Sequence, residues 1–257
     1  MKRLLGYGLL VSCAYLVFLI IQFPAAQLYA WLQSRAAAPV VQLYQLDGTL
    51  WNGRAAAATV GKTHVDAPAW TFRPRALLLG RLEYGLSGRL ARAPVSAVVG
   101  RGLGAPFYAD DIRLALPLNE ALRFVDLHDI GLTGQFRVEI GHLEISAGKI
   151  AALEATLSIA DAAFAPPVNV ALGGAAMRLE SSGEIIKGIL KDNGGPLQAD
   201  GGLIYQPSGE YQLTIGLSAR DPNDVQLRQA LRFLGTPNAA GKVSLSRRGR
   251  IDLQAYF

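Results

Sequence analysis

Apolar and polar positions alternate along most of this chain, segment after segment. Leu82, Tyr84, Leu86 and Leu90 interleave with Glu83, Gly85, Ser87 and Arg89, and Ile112, Leu114, Leu116 and Leu118 with Arg113, Ala115, Pro117 and Asn119. Phe136, Val138 and Ile140, then Leu153, Leu157 and Ile159, then Tyr211, Leu213, Ile215 and Leu217 repeat the pattern, and the chain ends on Ile251, Leu253, Ala255 and Phe257. A period of two places every second side chain on the same sheet face, so each segment predicts a strand with one buried and one wet face. The segments are joined by short links rich in Gly, Pro, Asn and Asp, such as Gln206-Pro207-Ser208-Gly209 and Asp192-Asn193-Gly194-Gly195. Links of that length favour antiparallel neighbours and a long meander over a parallel sheet covered by helices.

Two segments depart from period two. In Asp221–Gly235, Leu227, Ala230, Leu231 and Leu234 fall at helical spacing, with Asp221 placed to cap, Pro222 in the first turn and Gly235 at the end. Asn119–Asp126 predicts a shorter helix that buries Leu122 and Val125. Either helix could plug the open end of a curved sheet; the apolar stripe of the first, with Leu227 and Leu231 at its centre, reads first as a packing face, with a partner-binding face as the alternative.

The N-terminus follows a third pattern. Leu4–Phe23 is twenty residues without a charge, and at about 1.5 Å per residue it spans roughly 30 Å, the thickness of a bilayer core. Lys2 and Arg3 precede it, which predicts a cytoplasmic N-terminus and a single crossing. Tyr29 and Trp31 follow at the depth of the far headgroups, where an aromatic ring keeps its body in lipid and its polar edge in water. Two processing alternatives fit less well. A cleaved leader has an apolar region of roughly 7 to 15 residues and a small-x-small site, whereas Phe23-Pro24-Ala25-Ala26 lacks one. Leu10-Val11-Ser12-Cys13 spells a lipoprotein box, but its mature end would be apolar. The expected organisation is a cytoplasmic stub at 1–3, a membrane helix at 4–23, a juxtamembrane segment at 24–39 and a β-rich domain at 40–257 on the far side. The fold class is mainly β: one N-terminal transmembrane helix, then an extended, curved antiparallel sheet with one or two short amphipathic helices.

Composition narrows the function classes. The formal charge is +5, but of 25 basic residues Lys2, Arg3 and Arg35 lie at the N-terminus, leaving 22 against 20 acidic ones in the rest. That near-neutral body lacks the basic stripe a nucleic-acid partner needs. Cys13 is the one cysteine, so no intrachain disulfide can form. His64, His128 and His142 stand apart from one another in sequence, and Asp110-Asp111 on a strand would point to opposite faces, as expected of a turn leading into Ile112. Gly100-Arg101-Gly102-Leu103-Gly104 lacks the strand-loop-helix context of a phosphate loop. No catalytic, cofactor-binding or metal-binding residues are expected, and the chain is not expected to be an enzyme.

Several segments carry a family resemblance. Pro24-Ala25, then Leu46-Asp47-Gly48-Thr49-Leu50-Trp51-Asn52-Gly53-Arg54-Ala55, then Trp70, Pro74, Leu77, Gly80-Arg81-Leu82 and Gly88, and late in the chain Tyr211-Gln212-Leu213, the Leu227–Leu234 helix and Gly241, are similar to protein N of the type II secretion system. The resemblance implies a non-catalytic accessory or assembly subunit in the inner membrane, with a periplasmic body and other secretion components as partners. Trp51 and Gly53 are the positions it transfers, and both also read as structural: an indole filling a core and a glycine in a tight turn. A long sheet with one apolar face supports a second expectation, a periplasmic carrier of lipid or another apolar ligand.

Overall fold

The structure is a computed structural model that describes residues 15, 18–19, 21–35, 41–61, 63–123, 131–146, 149–166 and 169–250, with the side chains of Phe233 and Leu234 left aside. It divides into two compact units, 1–92 and 93–257. Both are built from antiparallel strands, so the chain is mainly β, as the alternation requires. The predicted membrane helix lies largely outside the described residues, and so do Leu4 and the final segment Ile251–Phe257. Among the described residues no helix is long and apolar enough to cross a membrane.

In the first unit the first element described in full is helix α1, Ala25–Gln33. Strands β1 (Val41–Tyr44), β2 (Asp47–Gly48), β3 (Asn52–Arg54), β4 (Ala57–Val60) and β5 (Thr63–Phe72) follow, then a 3₁₀ turn at Pro74–Leu79 and β6 (Arg81–Leu90). β1 pairs with β4, β4 with the first half of β5, and β3 with the second half of β5. β3 and β4 therefore act as one strand with a jog at Ala55-Ala56. The jog is closed by hydrogen bonds from Ala55 N–H to Pro68 O (2.8 Å) and from Ala67 N–H to Ala56 O (2.9 Å). Ala67 absorbs it with a φ of 46°, and the β5–β6 register shifts there.

The second unit is a meander of nine described strands: β7 (Ala93–Gly102), β8 (Phe107–Pro117), β9 (Leu132–Ser146), β10 (Lys149–Phe164), β11 (Ala171–Ser182), β12 (Ile185–Asp192), β13 (Leu197–Tyr205), β14 (Glu210–Ala219) and β15 (Val243–Arg250). From β8 onward each is hydrogen-bonded to the strand before it in the chain. Register converts the alternation into a continuous apolar row, one residue per strand: Val95, Leu114, Val138, Leu157, Met177, Leu190, Gly201, Ile215 and Leu245. The adjacent row belongs to the other face and runs Ser96, Arg113, Glu139, Thr156, Arg178, Ile189, Gly202, Thr214 and Ser246. Seven of those nine are polar, and Ile189 is 60% exposed. Both turns named from sequence close hairpins here, with Gly194 at φ 92° and Gly209 at φ 86°.

Bulges bend this sheet. Asp111 has a φ of 52° and is the extra residue that shifts β8 against β7. Asp110-Asp111 is therefore not a turn ahead of the strand but a bulge inside it. A second line of irregularity joins Gly134, Asp161 and Gly173 on three neighbouring strands, with φ of 138°, 52° and 92°. Bulges raise local twist and re-aim the strand ends.

Two short helices accompany the second unit. Helix α2, Leu118–Arg123, starts one residue earlier than Asn119 and buries Leu118, while Val125 lies outside the described residues. Helix α3, Val225–Leu234, starts three residues later than Asp221 suggested. The reason is local. The Asp221 carboxylate accepts from Asn223 N–H (2.8 Å) in a turn of its own, and Asp224 caps instead, accepting from Leu227 N–H at 2.9 Å.

Candidate functional site

In the first unit the motif around Trp51 folds into a clasp. Gly48, at φ 95°, turns the chain, Thr49 N–H donates to Asn52 O (2.9 Å), and Asn52 N–H returns a bond to Thr49 Oγ1 (3.2 Å). The indole of Trp70, on β5, lies across this turn and shares its Nε1–H between Thr49 O (3.2 Å) and Leu50 O (3.1 Å). Gly53 faces Trp70 across the β3–β5 pair. A Cβ at position 53 would overlap Trp70 Cζ2 and stand 2.8 Å from Cε2 and 2.9 Å from Asp47 O. Positive φ belongs to Gly48, not to Gly53. The glycine at 53 is there because another residue's ring occupies the place of its side chain, and the tight-turn role falls to Gly48.

Trp51 points the other way, edge-on to Phe72 at 4.7 Å, and Phe72 continues to Tyr84 at 5.4 Å. Burial pushes the Tyr84 hydroxyl pKa up. Trp51, Phe72, Thr49 and Leu77 join Ile21 and Gln22 in lining a hollow of about 660 Å³. The chain at Phe23 is tied to the clasp, since Leu50 N–H donates to Phe23 O (3.0 Å) and Pro24 bridges to Thr49. Tyr29, on α1, is anchored as well: its hydroxyl accepts from Leu43 N–H (2.8 Å) and from Gln33 Nε2 (2.8 Å). Trp31 is half exposed and lies under the Arg35 guanidinium at 4.1 Å.

In the second unit, α3 covers one end of the apolar face. Leu227 and Val243 are fully buried and Leu231 nearly so, packed with Val170 against Phe164, Leu172, Leu197, Leu217 and Leu245. Burying one such side chain is worth about 1.5–3 kcal/mol. Leu227 and Leu231 thus serve the interior, while Val225 on the same helix is 62% exposed. Farther along the same face Ala155, Leu179 and Ile186 form a second cluster, with half-buried Ile140, Leu157 and Leu203 around it.

Polar side chains form surface pairs. His64 Nε2 lies 3.3 Å from Asp66, with both side chains about half exposed. Asp110 and His142, far apart in sequence, meet across β8 and β9 at 2.7 Å, and Glu144 lies 3.9 Å from the other ring nitrogen. Sequence spacing could not find this group, because only strand register joins it. Gly100–Gly104 spans the end of β7 and a turn toward β8, with Leu103 93% exposed. Among the described residues no three His, Cys, Asp or Glu side chains are grouped to hold a metal ion.

These features define a β-meander protein whose described interior is apolar packing and whose described charged groups stay out of that interior. Its relatives give that class a family. Residues 39–246 match the family described as type II secretion system (T2SS), protein N, and the chain belongs to that family. It is 26% identical over 259 residues to a Vibrio cholerae serotype O1 protein named type II secretion system protein N, covering 98% of this chain and all of the relative. No solved structure matches.

Proposed function

We propose that this chain is a non-catalytic accessory subunit of the type II secretion system, anchored in the inner membrane by Leu4–Phe23 and carrying its β-rich body in the periplasm. The observation that carries the reading is the family match across 39–246. The uncharged run before it and the near-neutral body after it support the topology. The subunit acts by holding other secretion components at the membrane, and Trp51 contributes through the clasp that ties the end of the apolar run to the first sheet. Deleting the gene should reduce the secreted proteins in the medium. Unchanged secretion, with every other component at its normal level, would refute the reading. For topology, a C-terminal alkaline phosphatase fusion should be active, and an inactive fusion made in full amount would place the body on the cytoplasmic side.

One observation favours a second reading, a carrier of lipid or another apolar ligand. The apolar row of the second unit is half buried along much of its length, and among the described residues α3 covers only one end of it. Mass spectrometry of the purified full chain would decide, since a carrier brings lipid with it in a fixed ratio and a scaffold does not.

A further inference from the structure

We infer that the 3₁₀ turn Pro74–Leu79 is a second membrane contact, dipping into an anionic bilayer surface beside the N-terminal anchor; the inference rests on the anchor reading above. Leu77, Leu78 and Leu79 are 52%, 89% and 74% exposed, and Leu82 follows at 47%. Three consecutive exposed leucines on a connecting turn are unfavourable in water, and Leu78 and Leu79 leave most of their surface to it. The turn is nonetheless well formed. Its Ala76 is buried, Ala76 N–H donates to Arg73 O (3.2 Å), Gly80 N–H donates to Leu77 O (2.9 Å), and Arg73 N–H ties the turn to Glu83 O (2.9 Å).

Two further observations identify the occupant. From residue 73 to 80 the sequence holds Arg73 and Arg75 and no acid, and both arginines are exposed. An apolar tip with a cationic collar matches acyl chains beneath phosphate headgroups, because arginine keeps its stem in the apolar layer and its guanidinium on the phosphate. Position supplies the second argument. Leu77 lines the same hollow as Ile21 and Gln22, at the end of the apolar run, so the turn lies at the level where the anchor leaves the bilayer.

The test uses the full chain, with Cys13→Ser removing the native thiol, reconstituted into vesicles containing phosphatidylglycerol. A single cysteine replaces Leu78, or as the control Val60, on β4 opposite Thr63 at the far end of β5, about 30 Å away along that ten-residue strand. Each is labelled with an environment-sensitive fluorophore. The label at 78 should shift to the blue and be quenched by nitroxides on the acyl chains, and the label at 60 should answer only to aqueous iodide. Arg73→Glu with Arg75→Glu should shrink the shift at 78. A label at 78 as open to iodide as the one at 60, in a chain that resists carbonate extraction, overturns this inference and leaves the anchor standing. A label at 78 shielded from both quenchers means that a second copy of the chain covers the turn, and also overturns it. Release of the chain by carbonate overturns the anchor reading itself.

Discussion

Gly53→Ala tests the clasp most directly. The new Cβ would overlap Trp70 Cζ2 and crowd Asp47 O at 2.9 Å, a backbone atom that cannot swing away. Relief requires the indole to shift, and overpacking of this kind costs about 1–3 kcal/mol. The shift also strains the shared hydrogen bond from Trp70 Nε1–H to Thr49 and Leu50, worth about 1 kcal/mol net. The lower backbone entropy of alanine in the unfolded chain returns about 0.5 kcal/mol. The expected loss is therefore about 2–3 kcal/mol, read from urea unfolding of the purified chain by tryptophan fluorescence. A double-mutant cycle isolates the cause. In a Trp70→Leu background the Cβ has room, so Gly53→Ala should cost less than about 1 kcal/mol, leaving a coupling of about 1.5 kcal/mol. A loss below about 0.5 kcal/mol, or an equal loss in both backgrounds, would refute the argument that Gly53 exists to seat the Trp70 ring.

Leu227→Ala removes a fully buried side chain between α3 and the sheet and should cost about 2–5 kcal/mol by thermal or urea unfolding, while Val225→Ala on the exposed side of the same helix should stay within about 0.5 kcal/mol. Asp224→Ala should cost about 1 kcal/mol by loss of the cap to Leu227 N–H, whereas Asp221→Ala should leave α3 intact; the reverse ranking would place the cap at Asp221. Asp192 has its pKa lowered, chiefly by the hydrogen bond from Gly194 N–H, then by those from Ala199 and the charge of Arg220, against an opposing effect of burial. A depressed folded value means that its stabilisation is present above the ordinary aspartate pKa near 4 and lost as pH falls through the lowered value. Acid titration of stability should therefore be steeper below about pH 4 in the native protein than in Asp192→Asn, and equal slopes would remove Asp192 from the account.

The meander was legible because its signal is local: alternation names the faces, and Gly or Asn-Gly links name the hairpins. What escaped depended on register. Gly53 and Trp70 are seventeen positions apart and become partners only once β3 lies beside β5. The same holds for Asp110 and His142, and for Gly249, whose missing side chain leaves room for the Tyr211 ring. The bulges at Asp111 and Asp161 carry no glycine and so no sequence mark of positive φ. Helix α1 carries little helical signature in the sequence, because Ala25–Gln33 is apolar almost all round and starts from Pro24 with no side-chain cap. The start of α3 is ambiguous in the sequence because two aspartates three residues apart both qualify as caps, and only the turn at Asn223 shows which one is already engaged.

The neighbour-by-neighbour pairing of β7 to β15 has a consequence for how the body can form. Each strand needs only the one just made before it, so the loops to be closed are short and contact order within the meander is low. A chain that becomes free from its N-terminal side first can add strands in order of arrival, without holding an early strand open for a late one. The exception is the α3 cap, which brings Leu227 and Leu231 against Phe164 and Val170, some sixty residues earlier. The sheet can thus assemble strand by strand, and α3 with β15 completes it by covering one end of the apolar face that stays open until then.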